Sequence, residues 1–311
     1  MKILLLGANG QLGRTFLDQG DLAARGELIV ASRDGVLTDG RRGEIADLAA
    51  PASLSALLDR VQPDVIINAA AYTAVDRAEQ EPDLATRVNG EAVAVLGAWA
   101  KAHSALVVHY STDYVFDGGQ SQPYAVDAPT APLGAYGRSK LAGEQALRDS
   151  GADHLILRTA WVYAAHGQNF LRTMLRLGSE REELRVVADQ HGAPTDTGLI
   201  VRASLAALER WQQAGNEQRR RLSGTHHLVA SGATTWHGFA TAIFQQAAAR
   251  GLIPRAPRVI PIVSADFPTP AVRPAWSLLE NHDFQQHFGF PLPDWQQGLD
   301  EVMHQLAASG H

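Results

Sequence analysis

Short runs of consecutive apolar residues recur along the chain, separated by longer stretches whose apolar residues return every third or fourth position. Residues 3–6, 28–31, 64–68, 106–110 and 154–158 are the short runs. An apolar residue at nearly every position predicts a strand covered on both faces, as in a parallel sheet. Residues 44–48 predict a further short strand. Between the runs, residues 51–61 place Leu54, Leu57, Leu58 and Val61 on one helical face. Residues 84–103 predict a longer helix, and another begins near Tyr136. Strand and helix in alternation predict an α/β chain with a doubly wound parallel sheet.

The second half is less regular. Residues 169–177 predict a helix, 184–187 a strand, and 199–211 a helix that returns to the first sheet. Beyond Gly224 come short elements at 227–229, 236–249, 259–262 and 295–306. They predict a smaller α/β part closing a cleft. The expected division is residues 1–163 with 184–217 for the sheet domain, and 164–183 with 218–311 for the second part. A crevice between two such parts is a preferred ligand site.

The first strand runs straight into Gly7-Ala-Asn-Gly10-Gln-Leu-Gly13 and then a helix. Strand, glycine turn and helix in that order are the setting of a dinucleotide site of the Rossmann type. Gly7 makes the tight turn, Gly10 lets backbone N–H groups approach a pyrophosphate, and Gly13 lets helix and strand lie close. Asn9, Gln11 and Leu12 belong to the same turn. An NAD site usually carries an acid after the second strand, for the ribose 2′-hydroxyl. Here Ser32 and Arg33 stand there, and Arg33 can pair with a 2′-phosphate. NADPH is therefore expected over NADH. Asp47 and Leu48 end the third strand, a position that in such folds either faces the adenine or caps the loop. Ala69, Ala70 and Ala71 are small enough for ribose and phosphate to lie against the backbone.

Composition narrows the classes. The 311 residues carry a formal charge of −6 and are 45% hydrophobic, which suits a full core and disfavours a nucleic-acid or anionic-membrane partner. With no cysteine, disulfides and thiolate zinc sites are excluded. Twelve histidines show no metal-binding spacing, so no metal is expected. No segment has a signal-peptide layout or the length to span a bilayer, and a cytoplasmic protein is expected.

Chemistry concentrates after the fifth strand. Ligands of open α/β sheets bind beyond the carboxyl ends of strands, which puts Thr112 and Asp113 at the site. Tyr136 and Lys140 lie four apart on one helical face. A free phenol has a pKa of about 10, and a neighbouring ammonium helps bring it down. The set resembles the extended short-chain dehydrogenase/reductase family, and within it the reductases of nucleotide sugars. The likeness extends through the segments 68–79, 109–116, 136–144, 158–163, 189–195 and 267–274.

That resemblance implies a catalytic set of Thr112, Tyr136 and Lys140, with Tyr110, Thr112, Asp113 and Trp161 contacting cofactor or sugar. Asn169 and Arg273 are further candidates for a nucleotide-sugar substrate, Arg273 for its pyrophosphate. The implied reaction is reduction of a C4 ketone on a dTDP-linked 6-deoxy sugar. Family members with magnesium at a dimer contact carry acids where this chain has Thr15 and Gly198. That argues against magnesium and leaves a homodimer open. A dehydratase would need an acid after Asp113, where Tyr114 stands. Other readings are a reductase or epimerase of another nucleotide sugar, and a non-catalytic NADP-binding regulatory subunit.

Overall fold

A computed structural model describes residues 1–19 and 21–309. Its centre is a parallel sheet of seven strands: β1 (Lys2–Leu6), β2 (Glu27–Ser32), β3 (Glu44–Ile45), β4 (Val65–Asn68), β5 (Leu106–Thr112), β6 (His154–Thr159) and the edge strand Gly224–His227. From that edge the order runs Gly224–His227, β6, β5, β4, β1, β2, β3. The direction of winding reverses between β1 and β4, and a crevice opens at such a point beyond the carboxyl ends of the strands.

Successive side chains of a strand point to opposite faces, and both faces are covered. Ile3, Leu5, Val65, Ile67, Leu106 and Val108 pack with Phe16 and with Leu199, Val201 and Leu208 of the helix Thr197–Gln213. Leu4, Leu6, Ile66 and Val107 pack on the other side with Leu54, Leu57 and Leu58, and with Leu96 and Trp99. Each leucine so buried contributes about 1.5–3 kcal/mol. The first of these cores continues without a break into Phe239, Ile243, Phe244, Trp295 and Met303 of the C-terminal helices Trp236–Ala249 and Trp295–Ala308.

Several elements differ from expectation. The third strand has two residues, because the Asp47 carboxylate accepts the Ala49 N–H at 3.0 Å and turns the chain. The long helix is continuous from Pro82 to His103 but contains a π-helical segment, Arg87–Glu91. The strand Glu183–Val187, expected with the sheet domain, pairs instead with Arg258–Ile262. Conversely Gly224–His227, expected in the second part, pairs with β6 in the central sheet. Its sequence, Gly-Thr-His-His, lacks the apolar run that marks β1, β2, β4, β5 and β6. Among the described residues no helix is long and apolar enough to cross a membrane.

Candidate active site

The glycine turn has the geometry its sequence implies. Gly7 has φ 78°, and a Cβ there would lie 2.6 Å from the Ala70 nitrogen. The Gly10 N–H donates to the Gly7 carbonyl at 2.9 Å. Gly10 then opens the helix Gln11–Asp18, and no side chain caps that helix. An uncapped helix N-terminus of this kind attracts an anion. Gly13 sits behind the turn, where a Cβ would meet the Gly7 carbonyl at 2.2 Å. It packs helix on strand and lies off the cavity wall.

A cavity of about 810 Å³ starts at this turn, at Gly7, Asn9, Gly10, Gln11 and Leu12. Its rim carries Ser32, Arg33, Asp47 and Leu48, and its side wall Ala69, Ala70 and Ala71. Asn9 fastens the loop after β2 by donating to the Val36 carbonyl at 2.7 Å and accepting the Thr38 N–H at 3.0 Å. The glycine approach, the uncapped helix and the length of the cavity fit a dinucleotide. Sequence reasoning stopped one residue short at the rim: Asp34 also lines it. Its carboxylate accepts from the Val36 N–H at 3.1 Å and from the Ser32 hydroxyl at 3.2 Å. Those bonds hold its pKa below the usual carboxylate value.

At the other end Thr112, Asp113, Tyr136, Lys140 and Trp161 share the same cavity. Thr112 closes β5, while Tyr136 and Lys140 lie one turn apart on the helix Ala135–Ser150. The Thr112 hydroxyl donates to Asp113 Oδ1 at 2.9 Å and accepts the Tyr114 N–H at 3.2 Å. Burial pushes the Tyr136 phenol up to about 12, with the Thr112 hydroxyl pulling the other way. The expected lowering by Lys140 is absent. The Lys140 ammonium donates to the Tyr110 carbonyl at 2.6 Å and lies 3.3 Å from His109 Nε2. Burial brings Lys140 down to about 8. Asp113 is 3% exposed, and burial raises it to about 6. Its Oδ2 and the Thr159 hydroxyl are buried without a partner, and both residues line the cavity.

Three expected residues have other employment. The Tyr110 hydroxyl donates to Ser204 Oγ at 2.8 Å, so what it offers the site is backbone. Asn169 lies off the cavity wall: it caps the helix Phe170–Glu180, accepting the Arg172 N–H, and its amide donates to Gln11 Oε1 at 2.7 Å. It thereby positions Gln11. Arg273 is also off the wall and grips Asp76 at 2.8 and 3.1 Å. Trp161 is on the wall with φ 49° and stacks on Trp236 at 3.6 Å. A bulky residue at positive φ is strained backbone, a condition that clusters at ligand sites. Asn89, in the π segment, accepts the Tyr72 N–H at 2.8 Å and donates to the Tyr72 carbonyl and to Ser139 Oγ.

Tyr114, Thr159, Val88 and Gln168 also line the cavity. The strand-end rule would have found Tyr114 and Thr159; nothing in the sequence marks Val88 or Gln168. The Thr15 hydroxyl donates to the Gln11 carbonyl at 2.9 Å and accepts from the Thr197 hydroxyl at 2.8 Å, beside Gly198. Among the described residues no group of three histidines or acids is placed to hold a metal ion.

Comparison with known proteins adds the family. Residues 1–308 match the RmlD substrate binding domain family. A dTDP-4-dehydrorhamnose reductase of Burkholderia thailandensis is 48% identical over 304 residues, covering 96% of this chain and 97% of that protein. The Escherichia coli K12 protein of the same description is 42% identical over 306 residues, covering 98% of each. Among solved structures, a dTDP-4-dehydrorhamnose reductase of Clostridium acetobutylicum superposes with a TM-score of 0.85 at 34% identity, covering 98% of this chain and 99% of that one. A Bacillus anthracis enzyme of the same description, in complex with NADP, gives 0.83 at 30% identity, with coverage of 98% and 99%. A glycine turn, a strand-end threonine and a tyrosine–lysine helix around one cavity are thus the parts of a chain that belongs to the RmlD family of nucleotide-sugar oxidoreductases.

Proposed function

We propose that this chain reduces the C4 ketone of dTDP-4-dehydro-6-deoxy-L-mannose (dTDP-4-dehydrorhamnose) to dTDP-L-rhamnose, with NADPH as the preferred donor. The observation that carries the reading is the single cavity with the glycine turn at one end and Thr112, Tyr136 and Lys140 at the other. The cofactor, held along the glycine turn and the three alanines, supplies a hydride when bound. The chain's own residues manage the proton. Tyr136 keeps its phenolic proton well above neutral pH, as a general acid must, and gives it to the carbonyl oxygen. Thr112, turning its one hydroxyl proton from Asp113 Oδ1 to the substrate, places a second donor where charge grows on that oxygen. Lys140, cationic below about pH 8, offsets the phenolate left behind. Asp113 Oδ2 and the Thr159 hydroxyl, both unpartnered, are free to take sugar hydroxyls. Arg273 meets the pyrophosphate by sharing or leaving Asp76.

The test is NADPH oxidation by the purified protein with the keto-sugar nucleotide generated in situ. Tyr136→Phe should lower kcat by about 10²–10⁴-fold, the usual contribution of general acid catalysis. Near-full activity in that variant would discard the mechanism. NADPH binding without turnover would restore the regulatory-subunit reading. At the rim Arg33 attracts a 2′-phosphate and Asp34 repels it. A hydrogen bond to a charged group is worth about 1.5–3 kcal/mol, so Arg33→Ala should cut the NADPH-to-NADH preference at least tenfold. Equal efficiency with both cofactors, unmoved by Arg33→Ala, would end the NADPH assignment. Chelation of divalent ions should leave turnover unchanged.

A further inference from the structure

Behind Lys140 lies a chain of buried polar groups that the mechanism above does not use. His109 is wholly buried on β5, and Asn68 is 1% exposed beside it on β4. The Ala70 N–H donates to Asn68 Oδ1 at 3.3 Å. Asn68 Nδ2 lies 3.1 Å from His109 Nδ1, and His109 Nε2 lies 3.3 Å from Lys140 Nζ.

The direction of each bond follows from its first member. A backbone N–H can only donate, so the oxygen of Asn68 faces Ala70 and the amide nitrogen faces the ring. An amide NH₂ can only donate, so His109 Nδ1 is the acceptor. A neutral imidazole carries one proton, which must then sit on Nε2, the atom aimed at Lys140. Burial and the lysine charge hold the ring neutral, well below its ordinary pKa. An ammonium cannot accept a hydrogen bond, whereas an amine can.

We infer that His109 is a positioning residue that donates from Nε2 to Lys140 whenever the lysine is an amine, so that the orientation of Asn68, the tautomer of His109 and the charge of Lys140 form one coupled unit. This rests on the reading that Lys140 serves Tyr136. The arrangement disfavours the ammonium and keeps the lysine close to its neutral form. A lysine that gives and takes a proton near working pH restores the phenol more readily than one held permanently charged. The other charged or titratable groups around the pair are Tyr136 and Glu144 on the lysine's own helix, Asp113 at the end of β5, and His154 on β6. Glu144 is neutralised by Arg158 at 2.8 Å and Arg148 at 3.0 Å. His154 is kept neutral by burial.

Nitrogen-15 NMR of the histidine-labelled, ligand-free protein at pH 9, where Lys140 is an amine, reads the tautomer directly. The expected result is a proton on Nε2 and a bare Nδ1 for His109; a proton on Nδ1 overturns the inference. This needs no substrate, so it can fail while the reductase reading stands. The second arm is the pH profile of kcat. His109→Leu removes the donor, and the limb set by Lys140 should move up by about 1 unit, with KM for the nucleotide sugar unchanged. His109→Gln, which keeps an N–H donor, should restore the original profile. Profiles that coincide for wild type and His109→Leu overturn the inference as well. If His109→Leu does not fold, the tautomer alone decides.

Discussion

At the scale of single residues, buried charge is the term with the largest leverage. Glu144 is fully buried, and Arg158 grips it with two bonds at 2.9 and 2.8 Å, joined by the Ser111 hydroxyl at 2.6 Å. Removing one partner of such a pair strands the other, at a cost of about 3–5 kcal/mol, whereas replacing both with apolar residues is often neutral. Glu144→Ala should therefore lower urea stability by that amount, and Glu144→Leu with Arg158→Met by much less. Equal losses in the two would mean that packing, not charge, decides. Local spacing was enough to single out Thr112, Tyr136, Lys140, Gly7 and Gly10, which line one cavity, because a strand end, an i,i+4 pair and a tight turn are local facts. The partners of Tyr110, Asn169 and Arg273 were not legible. Ser204, Gln11 and Asp76 lie 94, 158 and 197 residues away from them, and only the fold brings them into contact.

Among the elements, the π segment Arg87–Glu91 is what the periodicity hid. It adds a residue to the turn, and Arg87-Val-Asn-Gly-Glu91 carries no proline to set it apart from plain helix. Its purpose is visible in Asn89, whose side chain holds both the N–H and the carbonyl of Tyr72, just beyond the alanines of the cavity wall. π segments occur often at functional sites. The neighbouring helix fits it so closely that a Cβ on Gly143 would lie 2.0 Å from the Asn89 carbonyl. Gly143→Ala must push the two helices apart, an overpacking cost of about 1–3 kcal/mol. It should raise KM for the cofactor as Tyr72 shifts, while the pH profile stays put. A variant as stable as wild type with an unchanged KM would contradict this coupling. The apolar strands were found because the period of a buried strand is unmistakable. The edge strand Gly224–His227 was placed too late, at 227–229, and outside the central sheet, since two histidines and a threonine conceal its start.

For the molecule as a whole, the buried histidines set the acid limit. Burial lowers His226 to about 4 and His227 to about 3, and it also lowers His109 and His154. The unfolded chain takes up these protons near pH 6.5 while the native state refuses them. Stability is thus highest above pH 6.5 and falls as pH drops towards 4, by about 1.4 kcal/mol per unit for each of His226 and His227. Asp113, raised to about 6, acts in the opposite sense between roughly pH 6 and 4, and Asp196 is raised as well, but the histidines outnumber them. The urea midpoint should be clearly lower at pH 5 than at pH 7; an equal or higher midpoint would show that the histidines are not neutral in the native state.

The returning chain also bears on how this protein is made. The helix Thr197–Gln213 covers one face of β1, β4 and β5, and the last strand of the sheet is Gly224–His227. During synthesis the first six strands leave the ribosome with Ile3, Leu5, Val65 and Val108 covered on that face by Phe16 of the helix Gln11–Asp18 but not yet by Leu199, Val201 and Leu208. They remain so until the chain has grown past Gln213, and the sheet gains its final edge only after His227. A nascent chain stalled in between exposes apolar surface of the kind chaperones bind, and about two-thirds of the sequence must be made before that face can close.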